Sequence, residues 1–357
     1  MRTLILTLPS LVIGIGCRSG SASKAGDDTS SSAAGGDSAA ADDCPDEDFQ
    51  DVSTYDQADP YADPTLSVSC EADTLVVETN GIPNFEFVAV TPNDLSEVPL
   101  TYRIPLSPVE ADVESELGFG VVGLAVNGLP IYGAFEAAPT YGDPLLDGIV
   151  DFCNGHVAPG GQYHFHGRPD CLFDEVDGQT SLVIGYGLDG YPILAPFECA
   201  DADCTEVIEL ESSWAYIGGS EAALEANEYQ EGTGDLDRCN GKTRSDGSYA
   251  YYATTTFPYL LGCHHGVVAD DAVTATGGGD GGGGTDGGGG PTACSDDGDC
   301  EGVCPEGSID CVCVDDPRAG QICAATCERD EDCLDTDGMP FICDEAQGVC
   351  VPEGGAP

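Results

Sequence analysis

Three histidines, His156, His164 and His166, fall within one short stretch of a 357-residue chain that has only five. Neutral imidazole is the commonest protein ligand for zinc and copper, and three with an open fourth position suit catalysis or exchangeable binding. Raw affinity at such a site favours copper over zinc. In an extended strand side chains alternate faces, so His164 and His166 share one face while Tyr163 and Phe165 take the other. Pro159-Gly160-Gly161 reads as a three-residue hairpin loop, with Gly161 supplying the positive φ such a loop needs at its last position. On that register His156 lies opposite His164, with His166 as a diagonal neighbour on the same face. A loop one residue longer or shorter would turn His156 away. The competing reading makes the three histidines hydrogen-bonded members of an aromatic-rich sheet.

The strands that must carry these side chains are repeated. Asp151-Phe-Cys-Asn-Gly-His156 and Gly161-Gln-Tyr-His-Phe-His166 realign, 86 residues on, with Asp237-Arg-Cys-Asn-Gly-Lys242 and Gly247-Ser-Tyr-Ala-Tyr-Tyr252. Upstream, Gly123 to Ile131 realigns with Gly185 to Ile193 at an offset of 62, and Phe135-Glu136 recurs as Phe197-Glu198. Cys, Asn, Gly and Tyr positions recur and are expected to build the hairpins. The histidines instead face Lys242, Ala250 and Tyr252, which moves them toward a dedicated site. Asn127-Gly128 and Asp189-Gly190 are strong two-residue hairpin turns. Further strands are expected at Leu75 to Glu78, before an Asn80-Gly81 turn, and at Phe85 to Val90. A single helix is expected over Ser220 to Tyr229, with Ser220 as its cap. The fold class is mainly β, an internally duplicated, pseudo-twofold domain with few short helices and a small disulfide-rich tail.

Other residues are candidates by the same logic. His264 or His265 could complete the metal set by pseudo-symmetry, and Asp189 or Glu198 could add a carboxylate ligand or a general base. Glu136, Asp151, Asp189, Glu198 and Asp237 are candidates for orienting the imidazoles from behind. Symmetry and order suggest the disulfides Cys44–Cys70, Cys153–Cys171, Cys199–Cys204 and Cys239–Cys263.

Composition sets the surroundings. Residues 1–16 read as a secretory signal, too short for a membrane span. Gly14-Ile15-Gly16-Cys17 looks like a bacterial lipobox, which would make Cys17 the lipidated first residue of a disordered tether, 17–43. The main domain is expected over 44–273, with repeats at about 121–173 and 183–266. A Gly-rich linker, 274–290, then leads to a cysteine-rich module, 291–357. Eighteen cysteines besides Cys17, behind an export signal, imply disulfides in an oxidising compartment. The net charge of −55 argues against nucleic acid and against anionic lipid, leaving the lipid anchor as the only membrane contact. No Gly-x-Ser-x-Gly elbow, P-loop or dinucleotide fingerprint is present.

Taken together, Cys153-Asn-Gly-His156, Gly161-Gln-Tyr-His-Phe-His166, Pro169-Asp-Cys-Leu172, Gly187 to Ile193, Tyr249 to Thr254 and Phe257-Pro-Tyr259 through Gly262-Cys263 resemble the bacterial YHYH-domain proteins, over roughly Leu75 to Gly266. Phe165 replaces the second Tyr of the name, removing a hydroxyl from the face opposite the histidines. The resemblance implies an exported domain and no particular reaction. The tail is similar to cysteine-rich modules common in exported proteins of myxobacteria. The leading expectation is copper or zinc binding at the cell surface, by an outer-membrane lipoprotein or a secreted protein. The alternatives are a metal-dependent hydrolase or oxidase, and an adhesion or matrix module with structural histidines whose tail engages an extracellular protein or polysaccharide.

Overall fold

The computed structural model describes residues 44–275, apart from 138–139 and 202, and residues 311–316, 320–327, 329, 333, 341–344 and 349–352 of the tail. The expected signal peptide, Cys17, the tether and the Gly-rich stretch after Ala275 lie outside the described residues. Strands are numbered along the chain. β1 (Leu66–Glu71), β2 (Thr74–Thr79) and β3 (Leu100–Pro105) form an antiparallel meander. Leu75, Val77, Leu100, Tyr102 and Ile104 alternate inward along it, as period-2 strands with one buried face require. β4 (Glu110–Glu116) then leaves this sheet as a separate ribbon.

The centre of the domain is an eight-stranded sheet. β5 (Val121–Ala125) and β6 (Pro130–Tyr132) form a hairpin over Asn127-Gly128, and β7 (Gly155–Val157) and β8 (Tyr163–Phe165) form another. β9 (Val183–Gly187) and β10 (Pro192–Leu194) repeat the first hairpin over Asp189-Gly190. After them come two small ribbons. One pairs β11 (Phe197–Cys199) with β12 (Val207–Glu209), the other β13 (Trp214–Tyr216) with β14 (Asn227–Tyr229). β15 (Gly241–Thr243) and β16 (Tyr249–Tyr252) repeat the second hairpin. β17 (Cys263–Gly266) pairs with β4, and β18 (Val273–Ala275) adds to β3.

The strand order of the large sheet, β15-β16-β10-β9-β5-β6-β8-β7, reads the same from either end once the repeat is allowed for. At its middle Leu124 pairs with Tyr186, its own counterpart 62 residues on, so a pseudo-twofold axis runs through that pair. β6 runs parallel to β8 through Ile131↔Phe165, and β10 runs parallel to β16 through Ile193↔Tyr251. These are again counterparts. One core cluster spans both halves, with Ile131, Tyr163 and Phe165 from the first and Ile193, Tyr249 and Tyr251 from the second.

Four disulfides staple the domain: Cys44–Cys70, Cys153–Cys171, Cys199–Cys204 and Cys239–Cys263. In the tail, β19 (Cys311–Asp316) pairs with β20 (Gly320–Ala325), and β21 (Phe341–Asp344) with β22 (Val349–Pro352). Cys327–Cys343 and Cys333–Cys350 are bonded there, and Cys313 and Cys323 are also disulfide-bonded.

Three local expectations are corrected. The helix over Ser220 to Tyr229 shrinks to one turn, α1 (Ala223–Ala226), and Asn227 to Tyr229 become β14. The segment buries Ala222, Ala223 and Ala226 but leaves Leu224 exposed, too narrow a stripe to hold a longer helix. The Asn227 side chain donates to Ala223 O at 2.9 Å, ending the turn as Tyr229 packs on Trp214. Residues 85–90 form no strand, because the Gln57 side chain, not a neighbouring strand, satisfies the carbonyls of Pro83 and Phe85. Asn80-Gly81 starts a long connection to β3 rather than a hairpin, with Asn80 tied to Thr65 and Val98.

Candidate metal centre

The β7–β8 hairpin has the register that its loop predicts, with His156 opposite His164. Gly160 and Gly161 both take positive φ, 91° and 90°. The other end of the hairpin is fixed by Asp151, whose Oδ1 accepts from the N–H of Cys153 at 2.8 Å and of Gly155 at 3.3 Å. Both Asp151 oxygens accept from Tyr163 OH, each at 2.9 Å. Gly155 has to be glycine here, because a Cβ would strike the Tyr163 ring and the His164 carbonyl. Asp151 therefore positions the strand that carries His156 without touching an imidazole. Burial pushes its carboxyl up, against the lowering effect of these hydrogen bonds.

The three imidazoles converge on the face opposite Tyr163 and Phe165, and all are buried, at 3%, 2% and 1% exposure for His156, His164 and His166. Each Nδ1 is turned to a backbone carbonyl: His156 to Ile149 at 2.8 Å, His166 to Gly133 at 2.7 Å and His164 to Gln162 at 3.3 Å. A carbonyl oxygen only accepts, so each Nδ1 carries the proton and each Nε2 presents a lone pair. These lone pairs point at one another. His164 Nε2 lies 2.9 Å from His166 Nε2.

Glu136 closes the cluster. It follows β6, which the parallel pairing with β8 brings alongside the histidines. Its Oε1 lies 2.9 Å from His156 Nε2 and 3.3 Å from His166 Nε2. That oxygen is sealed from solvent, yet neither contact has the geometry of a hydrogen bond. The four donor atoms all lie within 4.8 Å of one another. A tetrahedral zinc shell with bonds near 2.0–2.1 Å has donor–donor edges of about 3.3 Å, so small side-chain movements would place all four on one ion. Tyr132 lies flat against His164, ring centroids 3.9 Å apart, and its hydroxyl donates to Gln162 Oε1.

The electrostatics follow from burial and from the shared carboxylate. Burial alone would raise Glu136, but its contacts with His156 and His166 outweigh that and hold it well below the usual carboxylate range. Burial lowers His156, and the Glu136 contact reverses the sign, leaving it above its ordinary value. His164 has no such partner, and burial plus the neighbouring imidazoles push it well below.

The remaining candidates lie elsewhere. Glu198 is not in this cluster. It occupies the equivalent position of the second half, where Oε2 is 2.7 Å from Lys242 Nζ and Oε1 accepts from Tyr252 OH. Asp189 is fully buried and accepts from Tyr251 OH and from Gly266 N–H. His264 Nε2 is 2.9 Å from Val122 O, and His265 stacks on Tyr249. Both histidines ride on β17, which the Cys239–Cys263 bridge and β4 hold away from the first hairpin. Asp237 serves β15 as Asp151 serves β7, accepting from Cys239 and Gly241 N–H and from Tyr249 OH. Glu136 as a direct donor, Tyr132 and the three carbonyl acceptors were not assigned from sequence. The recurrence of Phe135-Glu136 marked the glutamate, which the sequence places among the carboxylates that orient the imidazoles rather than among the ligands.

Comparison with known proteins agrees with the motifs. The family model described as YHYH protein matches residues 101–266. This stretch is a YHYH domain. The match starts at 101, inside β3, so β1 and β2 fall outside it although the motif resemblance was drawn from Leu75. No curated protein and no solved structure matches the chain. The YHYH domain takes in the large sheet, both hairpins and all four donors of the cluster.

Proposed function

We propose that the YHYH domain binds one divalent transition-metal ion through His156, His164, His166 and Glu136. The observation that carries this reading is the convergence of three Nε2 lone pairs and a solvent-sealed carboxylate oxygen, while every Nδ1 is held by a backbone carbonyl. Such backbone partners fix the tautomer a metal needs and raise the basicity of the ligand. Three imidazoles and one carboxylate in a compact set suit zinc, whereas soft sulfur donors, which copper(I) prefers, are absent from the cluster. Four protein donors complete a tetrahedral shell. That favours tight binding, storage or a structural role over hydrolysis, which would need a position for water.

Location belongs to the same reading. Disulfides are rare in reducing compartments, so the four in this domain support export, consistent with the apolar start and Cys17. Among the described residues no helix is long and apolar enough to cross a membrane. The test is elemental analysis of the purified full-length chain, with zinc and copper titrations, beside a His164→Ala/His166→Ala variant. One equivalent of metal, lost in a variant that keeps its circular dichroism spectrum, is the expected result. Absence of bound metal from both proteins across the titration would make the histidines structural.

A further inference from the structure

The two halves of the large sheet treat the same carboxylate differently. In the first, Glu136 bridges His156 and His166. In the second, Glu198 bridges Lys242 and Tyr252, the counterparts of those histidines. The scaffolds agree in register: His156 faces His164 as Lys242 faces Ala250. Asn154 and Asn240 precede the two strands at φ 61° and 63°, and their carbonyls accept from the N–H of His166 and Tyr252, each at 2.9 Å. The carboxylates sit at similar depth, 28% and 24% exposed.

We propose that Lys242 Nζ takes, in the second half, the place that the ion takes in the first, so that the second half is the same centre with its cation tethered to the chain. This rests on the metal-binding reading of the first half. A partly buried carboxylate needs a positive partner, and either a bound ion or an ammonium supplies it. The replacements fit that exchange. Lysine brings the charge, alanine at 250 frees the space of one imidazole, and the Tyr252 hydroxyl supplies the donor that keeps the second carboxylate oxygen satisfied. Ala250 is fully buried among Leu194, Leu210, Leu236 and Tyr252, so that space is filled by packing rather than water. The large sheet accordingly takes one ion, and its second half stays charge-balanced without one.

The test uses the full-length chain and zinc. Lys242→His/Ala250→His/Tyr252→His is expected to raise bound zinc from one to two equivalents; a folded variant that still binds one overturns the proposal. A converse pair covers the case in which that variant does not fold. His156→Lys/His164→Ala/His166→Tyr is expected to bind no zinc and to melt at least about 3 °C above His156→Ala/His164→Ala/His166→Tyr, whereas equal melting temperatures overturn the proposal. Zinc missing from the wild-type chain is a separate outcome: it removes the reading of the first centre on which this one depends.

Discussion

His164 Nε2 lies 2.9 Å from His166 Nε2, and the opposite nitrogen of each ring faces a backbone carbonyl oxygen. With both Nδ1 atoms protonated, two lone pairs meet at a distance that a shared metal ion or a shared proton makes favourable. If the proposed ion sits there, removing it should loosen this hairpin and spare its counterpart. Chelation is expected to speed amide hydrogen exchange over Gly155–His166 and leave Gly241–Tyr252 unchanged. Zinc at a hundred times its dissociation constant should add about 2.7 kcal/mol to stability. Equal exchange in the two hairpins, with and without chelator, would count against the site.

Glu136 is the only donor of the four with appreciable exposure, and the only one that can bring a negative charge. Glu136→Gln keeps the shape and removes that charge. Zinc affinity, measured by competition with a chromophoric chelator, should fall by more than the roughly 10–100-fold that loss of an outer partner costs. Glu198→Gln, at the equivalent place in the second half, should leave zinc affinity unchanged while lowering the melting temperature.

The contribution of this cluster to the stability of the metal-free domain should peak near pH 6.5, for opposite reasons on either side. His156 is held above its ordinary 6.5, so its contribution is complete below that value and is lost as pH rises through its folded-state pKa. His164 is held below 6.5, so its contribution is complete above that value and is lost as pH falls toward its folded-state pKa. Glu136, held below its ordinary 4.5, adds a further loss as pH falls under 4.5. Each proton is worth about 1.4 kcal/mol per pH unit while it titrates in one state only. Zinc must displace the His156 proton, so the thermal shift on adding zinc should grow from pH 5 to pH 8. Calorimetry with and without zinc across that range checks both slopes. A zinc shift independent of pH would exclude imidazole ligands.

The hairpin of His156 and His164 was legible because period-2 alternation and a glycine loop fix a register locally, and the second copy repeats the same loop length at Ser245-Asp246-Gly247. Glu136 was legible as a repeated residue and as one of five carboxylates that could orient the imidazoles, not as a direct donor. Its arrival beside the histidines depends on the parallel pairing of Ile131 with Phe165, and a crossover of that length leaves no local mark. The expectation that pseudo-symmetry brings His264 or His265 to the metal set failed for the same reason: β17 pairs with β4, a strand far away in sequence. The helix over Ser220 to Tyr229 followed from alanine and glutamate content, and lost to the packing of Trp214 against Tyr229 and Phe257.

Tyr163 and Tyr249 make the same hydrogen bonds in the two halves, each hydroxyl donating to both oxygens of an aspartate that caps its hairpin. Hydrogen bonds to charged groups are worth about 1.5–3 kcal/mol, and Phe at either position leaves a carboxylate, buried in Asp151 and half-buried in Asp237, short of a donor. Tyr163→Phe and Tyr249→Phe are each expected to destabilise the domain by that amount in urea unfolding. They should differ in zinc binding. Tyr163 anchors Asp151, which holds the strand bearing His156, so Tyr163→Phe should also weaken zinc affinity, and Tyr249→Phe should not. Equal zinc affinity in the two variants would mean that Asp151 contributes to the hairpin alone and does not position the ligand.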